Sequence, residues 1–290
     1  MVAVDSGRRQ VIDAPPAQPP LYSLLNAATP VEDGVRWQLG VIWSPEQVFG
    51  GAAVAANCAG NTPGGKPRGH NPMRNTADPI TVFAEDHCST IGFEARDYEG
   101  RARRQLASVQ SALIARELQL GTIRDAEGLS NVALIDGTEV GPGSSAVEDA
   151  IAMLEGALAD TFAGARTMIH VTPGTLTEMM RKNLIYQAGQ KWLTAPGNVV
   201  VCDAGYAAET TPEGAVFAYG TAMVSVRLSP VDLVPGTFEA AMAQMVDRSV
   251  NEITLYAERL ALVQFDHSDQ TVADLVFKVE VDVPAWHVGS

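Results

Sequence analysis

Apolar residues recur at helical spacing between Asp97 and Leu120, where they occupy every third or fourth position. This periodicity indicates a helix with one buried face. The predicted buried stripe consists of Ala102, Leu106, Val109, Leu113 and Leu120, widened by Ile114 and Leu118. Gly121 follows at the position where a left-handed glycine commonly ends a helix. The stretch predicts a helix about 33 Å long.

Three shorter helices are predicted further along the chain. Ser145 and Glu148 have the spacing of a capping box, and so do Thr175 and Glu178. The apolar positions that follow the first box are Val147, Ile151, Leu154 and Leu158, and those that follow the second are Leu176, Met179, Met180, Leu184 and Ile185. Residues 237–247, with Phe238, Met242 and Met245, predict the last of these helices.

Strand patterns surround the predicted helices. The clearest lies near the end of the chain, where apolar and charged residues alternate over 275–283 as in a half-buried strand. Further strands are predicted in 36–50, 80–95, 166–171, 199–201, 217–226 and 251–265, with a turn at Pro212 to Gly214. Helices interspersed with such strands predict an α+β protein in which helices flank mixed or antiparallel sheets.

Residues 1–35 lack periodicity and contain Pro15, Pro16, Pro19, Pro20 and Pro30. Closely spaced prolines favour extended backbone. Thirty extended residues can span about 100 Å. We therefore expect either an arm that reaches a neighbouring subunit or a disordered tail, and we expect that deleting residues 1–30 leaves a folded core.

A long polar stretch separates the first predicted strands. Residues 57–79 are rich in Gly, Asn and Pro and carry Lys66, Arg68, His70 and Arg74. Loops of this length are often functional projections. We expect Lys66, Arg68 and Arg74 to contact an acidic surface of another copy, the alternative being a solvated loop.

Composition narrows the class of function. The formal charge of −14 disfavours binding of nucleic acid through the chain's own surface, because phosphate contacts require Lys and Arg. No apolar run reaches the roughly 18 residues of a membrane span, and no apolar signal segment is found at the N-terminus, so we expect a protein made and kept in a cytoplasm. Cys58, Cys88 and Cys202 are too far apart for a zinc ribbon and are expected to be reduced thiols.

The sequence contains no common catalytic or phosphate-binding motif. Gly64-Gly-Lys66 is followed by Pro67, so it cannot form a phosphate loop. His87 and Cys88 are neighbours in a predicted strand and point to opposite faces. His170 could act as a general base or be a packed, hydrogen-bonded histidine, and His267 has no evident partner. We expect no catalytic residue, no metal site and no cofactor.

The order of elements resembles that of tailed-bacteriophage major capsid proteins, which share the Hong Kong 97-like fold. An arm, two strand regions around a basic loop, a long helix, smaller helices with strands, and two closing strands occur in that order. Gly205-Tyr206, Phe217-Ala-Tyr219-Gly-Thr221 and Ala257-Glu258-Arg259 resemble segments of head proteins from phages that infect actinobacteria.

The resemblance implies a domain arrangement. It implies an N-terminal arm at 1–35, an extended β loop at 36–95 and a peripheral domain whose spine helix occupies 96–129. An axial domain would follow at 130–235, and 236–290 would return to the peripheral domain.

The resemblance also implies a function. The chain would be a structural subunit that self-assembles, as hexamers or pentamers, into an icosahedral shell enclosing viral DNA. Assembly would take place in the host cytoplasm, with scaffold, portal or decoration proteins as further partners. The alternatives are another virion protein (pentamer-specific, portal-proximal or tail), an encapsulin-like cellular shell, and a hydrolase built around His170.

Overall fold

The computed structural model describes residues 21–31, 37–44, 74–89, 97–206, 215–234, 246–247, 252–267 and 275–282. The helices are α1 (Leu24–Ala27), α2 (Tyr98–Leu120), α3 (Thr122–Glu127), α4 (Val147–Phe162) and α5 (Pro173–Arg181), with 3₁₀ turns at Leu134–Asp136 and Ala204–Tyr206. In this part of the chain no helix is both long and apolar enough to cross a membrane.

The strands are numbered in chain order. They are β1 (Thr29–Val31), β2 (Val41–Trp43), β3 (Asn75–Ala77), β4 (Ile80–Ser89), β5 (Thr138–Glu139), β6 (Ser145–Ala146), β7 (Met168–Val171), β8 (Ile185–Ala188), β9 (Lys191–Thr194), β10 (Val199–Cys202), β11 (Phe217–Thr221), β12 (Ser225–Leu228), β13 (Asp232–Val234), β14 (Val246–Asp247), β15 (Glu252–Gln264) and β16 (Phe277–Asp282).

The first sheet is built around the long strand β15. On one edge β15 pairs antiparallel with β4, from Ile80 opposite Ala261 to Ser89 opposite Glu252. On its other edge lie β12, β13 and β14, and β1 adds to β12 in parallel. β15 therefore has partners on both edges. The N-terminal segment and the segment that contains β2 and β3 both pack on this sheet.

The second sheet is mixed and has the order β5-β16-β11-β7-β10-β9-β8, with β6 also on β16. β7 and β10 run parallel at its centre, where both strands are almost continuously buried. Burial on both faces accounts for the Val199-Val-Val201 run, because a strand covered on both sides has no polar face.

Alternate residues of the second sheet enter two different cores. Met168 and Tyr219 lie in one cluster with residues of α2 and of the first sheet. Ile169 and Ala218 lie in another cluster with residues of α4. The second sheet is therefore a layer with α4 on one face and α2 on the other, and α2 also packs against β4 and β15.

The predicted long helix is confirmed, with Asp97 as its N-cap and Gly121 in the left-handed conformation at its end (φ 65°). The predicted buried stripe is wrong in part, because Val109 and Leu113 are each 40% exposed. The 3₁₀ turn at Ala204–Tyr206 presses against the second half of α2, and a Cβ added at Gly205 would lie 2.2 Å from the Ala112 carbonyl oxygen. The buried face therefore turns around the helix, and Ser111, Ala115 and Gln119 are buried instead.

The predicted capping box of α4 does not form. The N-cap is Ala146, which makes no side-chain cap. Ser145 Oγ instead donates to the Gly143 carbonyl oxygen at 3.1 Å, and Glu148 forms an ion pair with Lys182. The helix is nevertheless present, because its buried stripe rather than its cap determines that it forms.

The N-cap of helix α5 lies three residues before the start of the predicted capping box at Thr175. Thr172 is the N-cap and accepts a hydrogen bond from the Thr175 backbone N–H at 3.2 Å. The helix ends at Arg181, so Ile185, predicted as a member of its apolar face, lies in β8. Met180, predicted on the same face, is 46% exposed.

One strand prediction and one helix prediction required correction. The segment 217–226 is two strands, because β11 belongs to the second sheet and β12 to the first, with the chain crossing between them. Val246–Asp247, predicted as the end of a helix, forms β14; residues 237–245 of that helix, and the predicted turn at 212–214, lie outside the described residues. The remaining strands at 80–89, 168–171, 199–202, 252–264 and 277–282 are confirmed.

The sheets do not divide the chain at residue 235. β12 and β13, which precede it, lie in the first sheet, whereas β16, near the end, lies in the second. The chain crosses from the second sheet to the first before Ser225 and returns before Phe277. Both layers thus contain segments that are distant in sequence.

The N-terminal region is not an arm throughout. Residues 1–20 and 32–36 lie outside the described residues, but 21–31 pack on the body. Leu24 is fully buried in the core that contains α2, and β1 pairs with β12. The expectation that residues 1–30 could be removed without loss of the core is therefore wrong, because their last part belongs to it.

Candidate interaction surfaces

The buried histidine is a structural group. His170 is 0% exposed, and its Nδ1 and Nε2 lie 2.9 Å from Tyr206 Oη and Thr221 Oγ1 respectively. Thr221 Oγ1 donates its proton to the Ala222 carbonyl oxygen, so it accepts from His170 Nε2–H, and Nδ1 accepts from the Tyr206 hydroxyl. Burial lowers the pKa of His170 to about 3, so the ring is neutral. The interpretation as a packed, hydrogen-bonded histidine is confirmed.

The other singled-out histidines have ordinary surroundings. His87 is exposed on β4, with Nδ1 3.2 Å from Thr254 Oγ1 and Nε2 3.5 Å from Glu85 Oε1. His267, predicted to lack a partner, lies edge-on to Trp43 and approaches the Thr76 carbonyl oxygen at 3.4 Å. Desolvation lowers the pKa of His267. Across the described ranges no three His, Cys, Asp or Glu side chains are grouped to hold a metal.

Cys202 behaves as a small hydrophobic residue. It packs against the core that contains α4, and burial, with a smaller effect from Asp203, raises the pKa of its thiol to about 12. A thiol with this pKa is not a nucleophile at neutral pH. The prediction of a reduced, packed cysteine is confirmed here, whereas Cys58 and the side chain of Cys88 lie outside the described residues.

The loop between β2 and β3 is anchored on the first sheet. β2 and β3 pair antiparallel, with Trp43 opposite Asn75. Trp37 and Ala77 pack on fully buried Leu262, and Trp43 Nε1 donates to Asp266 Oδ1 at 2.9 Å. The predicted polar loop is therefore shorter than expected, because Asn75–Ala77 is a strand.

Of the three predicted contact residues, the structure places one. Arg74 is exposed at the start of β3, whereas Lys66 and Arg68 lie outside the described residues. Residues 45–73 leave the hairpin at Ser44 and return at Arg74. The hairpin end therefore carries at least one exposed cation.

Among the described residues, those that cover the outer face of the first sheet lie at one end of it. Near Leu262 it is covered by the hairpin, but Phe83 is 53% exposed and meets Tyr256 in an edge-to-face contact at 6.0 Å. Residues directly opposite in an antiparallel pair share a face, so Glu85 lies beside Tyr256 and Glu258 beside Phe83. We call the set Phe83, Glu85, Asp232, Tyr256 and Glu258 the open face.

The hairpin and the open face lie at opposite ends of the first sheet. β3 contacts β15 and continues through Pro79 into β4, so the two strands run on along β15. From Asn75 to Phe83 the backbone advances about 26 Å in an extended chain. Arg74, at the hairpin end, is therefore separated from the open face by the length of this stretch, which sequence periodicity alone could not show.

A second exposed apolar stripe runs along α2. Val109 and Leu113 stand one turn apart, and Arg116 follows on the same side one turn later. The sequence pattern placed Val109 and Leu113 in the core, but not Arg116. The stripe is a further surface that a single copy leaves uncovered.

No family model and no curated protein matches the chain. Solved structures do. A chain from Mycobacterium phage Bobi is 14% identical, with 95% of this chain and 96% of that chain covered and a TM-score of 0.56. The capsid of Ralstonia phage GP4 is 9% identical, with 98% of both chains covered and a TM-score of 0.55. The capsid of a native GTA particle is 14% identical, with 97% and 98% covered and a TM-score of 0.53.

The chain has the Hong Kong 97-like capsid fold. The predicted α+β class and the resemblance in element order are confirmed. At these identities the likeness concerns the capsid fold alone and assigns no residue a role.

Proposed function

We propose that this chain is a structural subunit of a bacteriophage capsid, which self-assembles into an icosahedral shell enclosing viral DNA. The observation that carries the proposal is the extent of the likeness, since 98% of this chain and 98% of the Ralstonia phage GP4 chain are covered. Almost the whole chain therefore takes part in the likeness. The location would be the virion, after assembly in the host cytoplasm.

The absence of a catalytic role is part of the proposal. His170, the basis of the hydrolase alternative, is closed off from solvent and neutral, which supports a structural reading. The partners would be copies of the chain itself, in hexamers or pentamers, together with scaffold, portal or decoration proteins.

The domain assignment follows the sheets. We assign the first sheet with α2 to the peripheral domain and the second sheet with α4 and α5 to the axial domain. Residues 1–20 would form the free part of the arm, and residues 45–73 the end of the extended loop. Segments 225–267 and 277–282 then belong to different domains although they are neighbours in sequence.

We further assign the basic loop to the open face of a neighbouring copy. Lys66, Arg68 and Arg74 carry positive charge, and the open face carries Glu85, Asp232 and Glu258 around two aromatic rings. Because Arg74 is separated from the open face of its own subunit, the two surfaces meet between copies. Such a contact joins unlike surfaces, and repeated contacts of that kind form a ring when the rotation between copies closes.

The test is the state of assembly of the expressed protein. We expect light scattering to show complexes of five, six or many more copies, and negative-stain microscopy to show rings or shells, with the chain alone or with the products of neighbouring genes. A protein that stays monomeric at high micromolar concentration in both preparations would contradict the proposal.

A further inference from the structure

Residues 22–31, which we call the strap, touch both sheets and the long helix. The Cys202 backbone N–H donates to the Tyr22 carbonyl oxygen at 3.2 Å, and Lys191 Nζ donates to the Ala27 carbonyl oxygen at 3.1 Å. Thr29–Val31 pair with β12 of the first sheet. A ten-residue segment thus spans the junction between the two layers.

The strap is held at its centre by a buried carboxylate. Asp203, 1% exposed, accepts hydrogen bonds at Oδ2 from the Leu24 backbone N–H (3.0 Å) and Ser111 Oγ (2.6 Å). Its Oδ1 accepts from the Gly205 backbone N–H at 3.2 Å. Ser111, 4% exposed, in turn accepts from the Leu25 backbone N–H at 3.3 Å. We call Asp203 and Ser111 the seat.

Losing some of the hydrogen bonds to Asp203 and Ser111 costs more free energy than those bonds contribute when all of them are formed. Asp203 forms no ion pair with any described residue, so its charge is stabilised by hydrogen-bond donors alone. A buried group that loses its partner is penalised by more than the bond had contributed, because its desolvation is no longer offset. Withdrawing Leu24 also empties a site in the core that this side chain fills completely.

The same carboxylate joins the strap to the junction of α2 with the second sheet. Ser111 belongs to α2, and Gly205 belongs to the 3₁₀ turn that follows β10. That turn lies so close to α2 that a Cβ on Gly205 would stand 2.6 Å from the Arg116 backbone nitrogen. Strap, helix and turn therefore meet at one group, and a change in one alters the hydrogen bonds of the others.

We propose that the strap is a clamp, in which its hydrogen bonds to Asp203 and Ser111 hold α2 against the second sheet and its release loosens that junction. The strap begins beside Leu21, which is 73% exposed, so residues 1–20 are joined directly to it. A partner that binds residues 1–20 would therefore act on the strap, and through it on the packing of α2 against the second sheet. The source of that hold rests on the proposed shell function, whereas the coupling itself is a property of the single chain.

Hydrogen exchange of the purified full-length protein tests the coupling. The variants are Asp203→Ala, the isosteric Asp203→Asn, and Ser111→Ala, with Asp160→Asn on the exposed side of α4 as the matched control. We expect exchange to rise about tenfold or more in peptides covering 22–31, and to rise together in those covering 108–116, because both lose a bond to the seat. Peptides of α4 should exchange as in the wild type.

The converse change tests reciprocity. Gly205→Ala inserts a methyl group between the turn and α2, without replacing any group of the strap, and should raise exchange in 22–27 as well. Faster exchange of the strap with unchanged exchange of 108–116 would overturn the proposal, and so would unchanged exchange of both.

The outcome is separate from that of the shell proposal. If Asp203→Ala does not fold, the comparison rests on Asp203→Asn and Ser111→Ala, which keep the shape of the site. The measurement needs no assembly, so a chain that forms no shell would still confirm or overturn the coupling. If the chain assembles but its strap and α2 do not exchange together, the proposed function stands and the proposed coupling is wrong.

Discussion

His170 combines complete burial with two hydrogen bonds, and its protonation state has a consequence for stability. Its pKa is about 3 in the folded chain, against an ordinary value of 6.5. Between these values the unfolded chain binds a proton that the folded chain does not. Stability should therefore be fully present above about pH 6.5 and be lost as the pH falls toward 3, with a slope of up to roughly 1.4 kcal/mol per pH unit.

Replacing this histidine should flatten the profile. We expect His170→Gln to be less stable than the wild type at pH 7.5 but to lose less stability between pH 7.5 and 4. Chemical denaturation at a series of pH values measures both slopes, and His87→Gln at an exposed position serves as the control. Parallel curves for wild type and His170→Gln would contradict the assignment of a neutral, buried ring.

The sequence indicated the alternatives for His170 but gave no sign of Asp203. An acidic residue after a strand is ordinary, and its burial depends on Leu24 and Ser111, which are distant in sequence. Only the fold brings these groups together. Hydrogen bonds between residues far apart along the chain have no local pattern, whereas the period of a strand does.

At the scale of the element, periodicity predicted the bounds of the long helix α2 but not which of its faces is buried. Its start, end and length follow from Asp97, Gly121 and the apolar repeat. Its buried face does not, because the turn at Ala204–Tyr206 covers one side of its second half. Strand β16 was easier to predict because burial on one face leaves a two-residue period.

Two leucines on this helix should respond differently to truncation. Leu106 is 0% exposed and Leu113 is 40% exposed. We expect Leu106→Ala to cost about 2–5 kcal/mol of unfolding free energy through the cavity it leaves, and Leu113→Ala less than about 1 kcal/mol. Urea unfolding of the monomeric subunit compares them directly. Equal losses would mean that the predicted stripe, rather than the observed face, is the buried one.

The N-terminal segment should also divide into two parts. Removing residues 1–20 should leave the melting temperature of the subunit nearly unchanged but impair assembly, because a proline-rich stretch without apolar periodicity adds little to a core. Removing residues 1–30 takes away Leu24 and most of β1, and should abolish the cooperative transition or lower it sharply. Differential scanning calorimetry distinguishes them; similar melting of both truncated chains would place the strap outside the core.

At the scale of the whole molecule, the net charge of −14 makes Lys66, Arg68 and Arg74 a minority of opposite sign, which is the basis of their proposed contact with another copy. Reversing them in Lys66→Glu/Arg68→Glu/Arg74→Glu should prevent or slow assembly without changing the melting of the subunit. Because the Debye length is about 3 Å at 1 M salt, wild-type assemblies should also loosen as salt rises.

A charge swap makes this test specific. Glu85→Lys/Asp232→Lys/Glu258→Lys should fail to assemble alone and should assemble when mixed with the loop variant, since opposite charges then meet again. Arg166→Glu, an exposed cation that belongs to neither surface, is the control. Normal assembly of the loop variant across the salt range, measured by light scattering, would remove the loop from the contact.

The separation of the hairpin end from the open face gives each growing assembly two unequal ends. One end presents an unused loop and the other an unused face, and each can be occupied independently of the other. A subunit with the reversed loop and an intact face would still join one end and then offer nothing to the next arrival. Such a subunit acts as a chain terminator at the end that presents a loop, so the size of mixed assemblies should fall as its molar fraction rises.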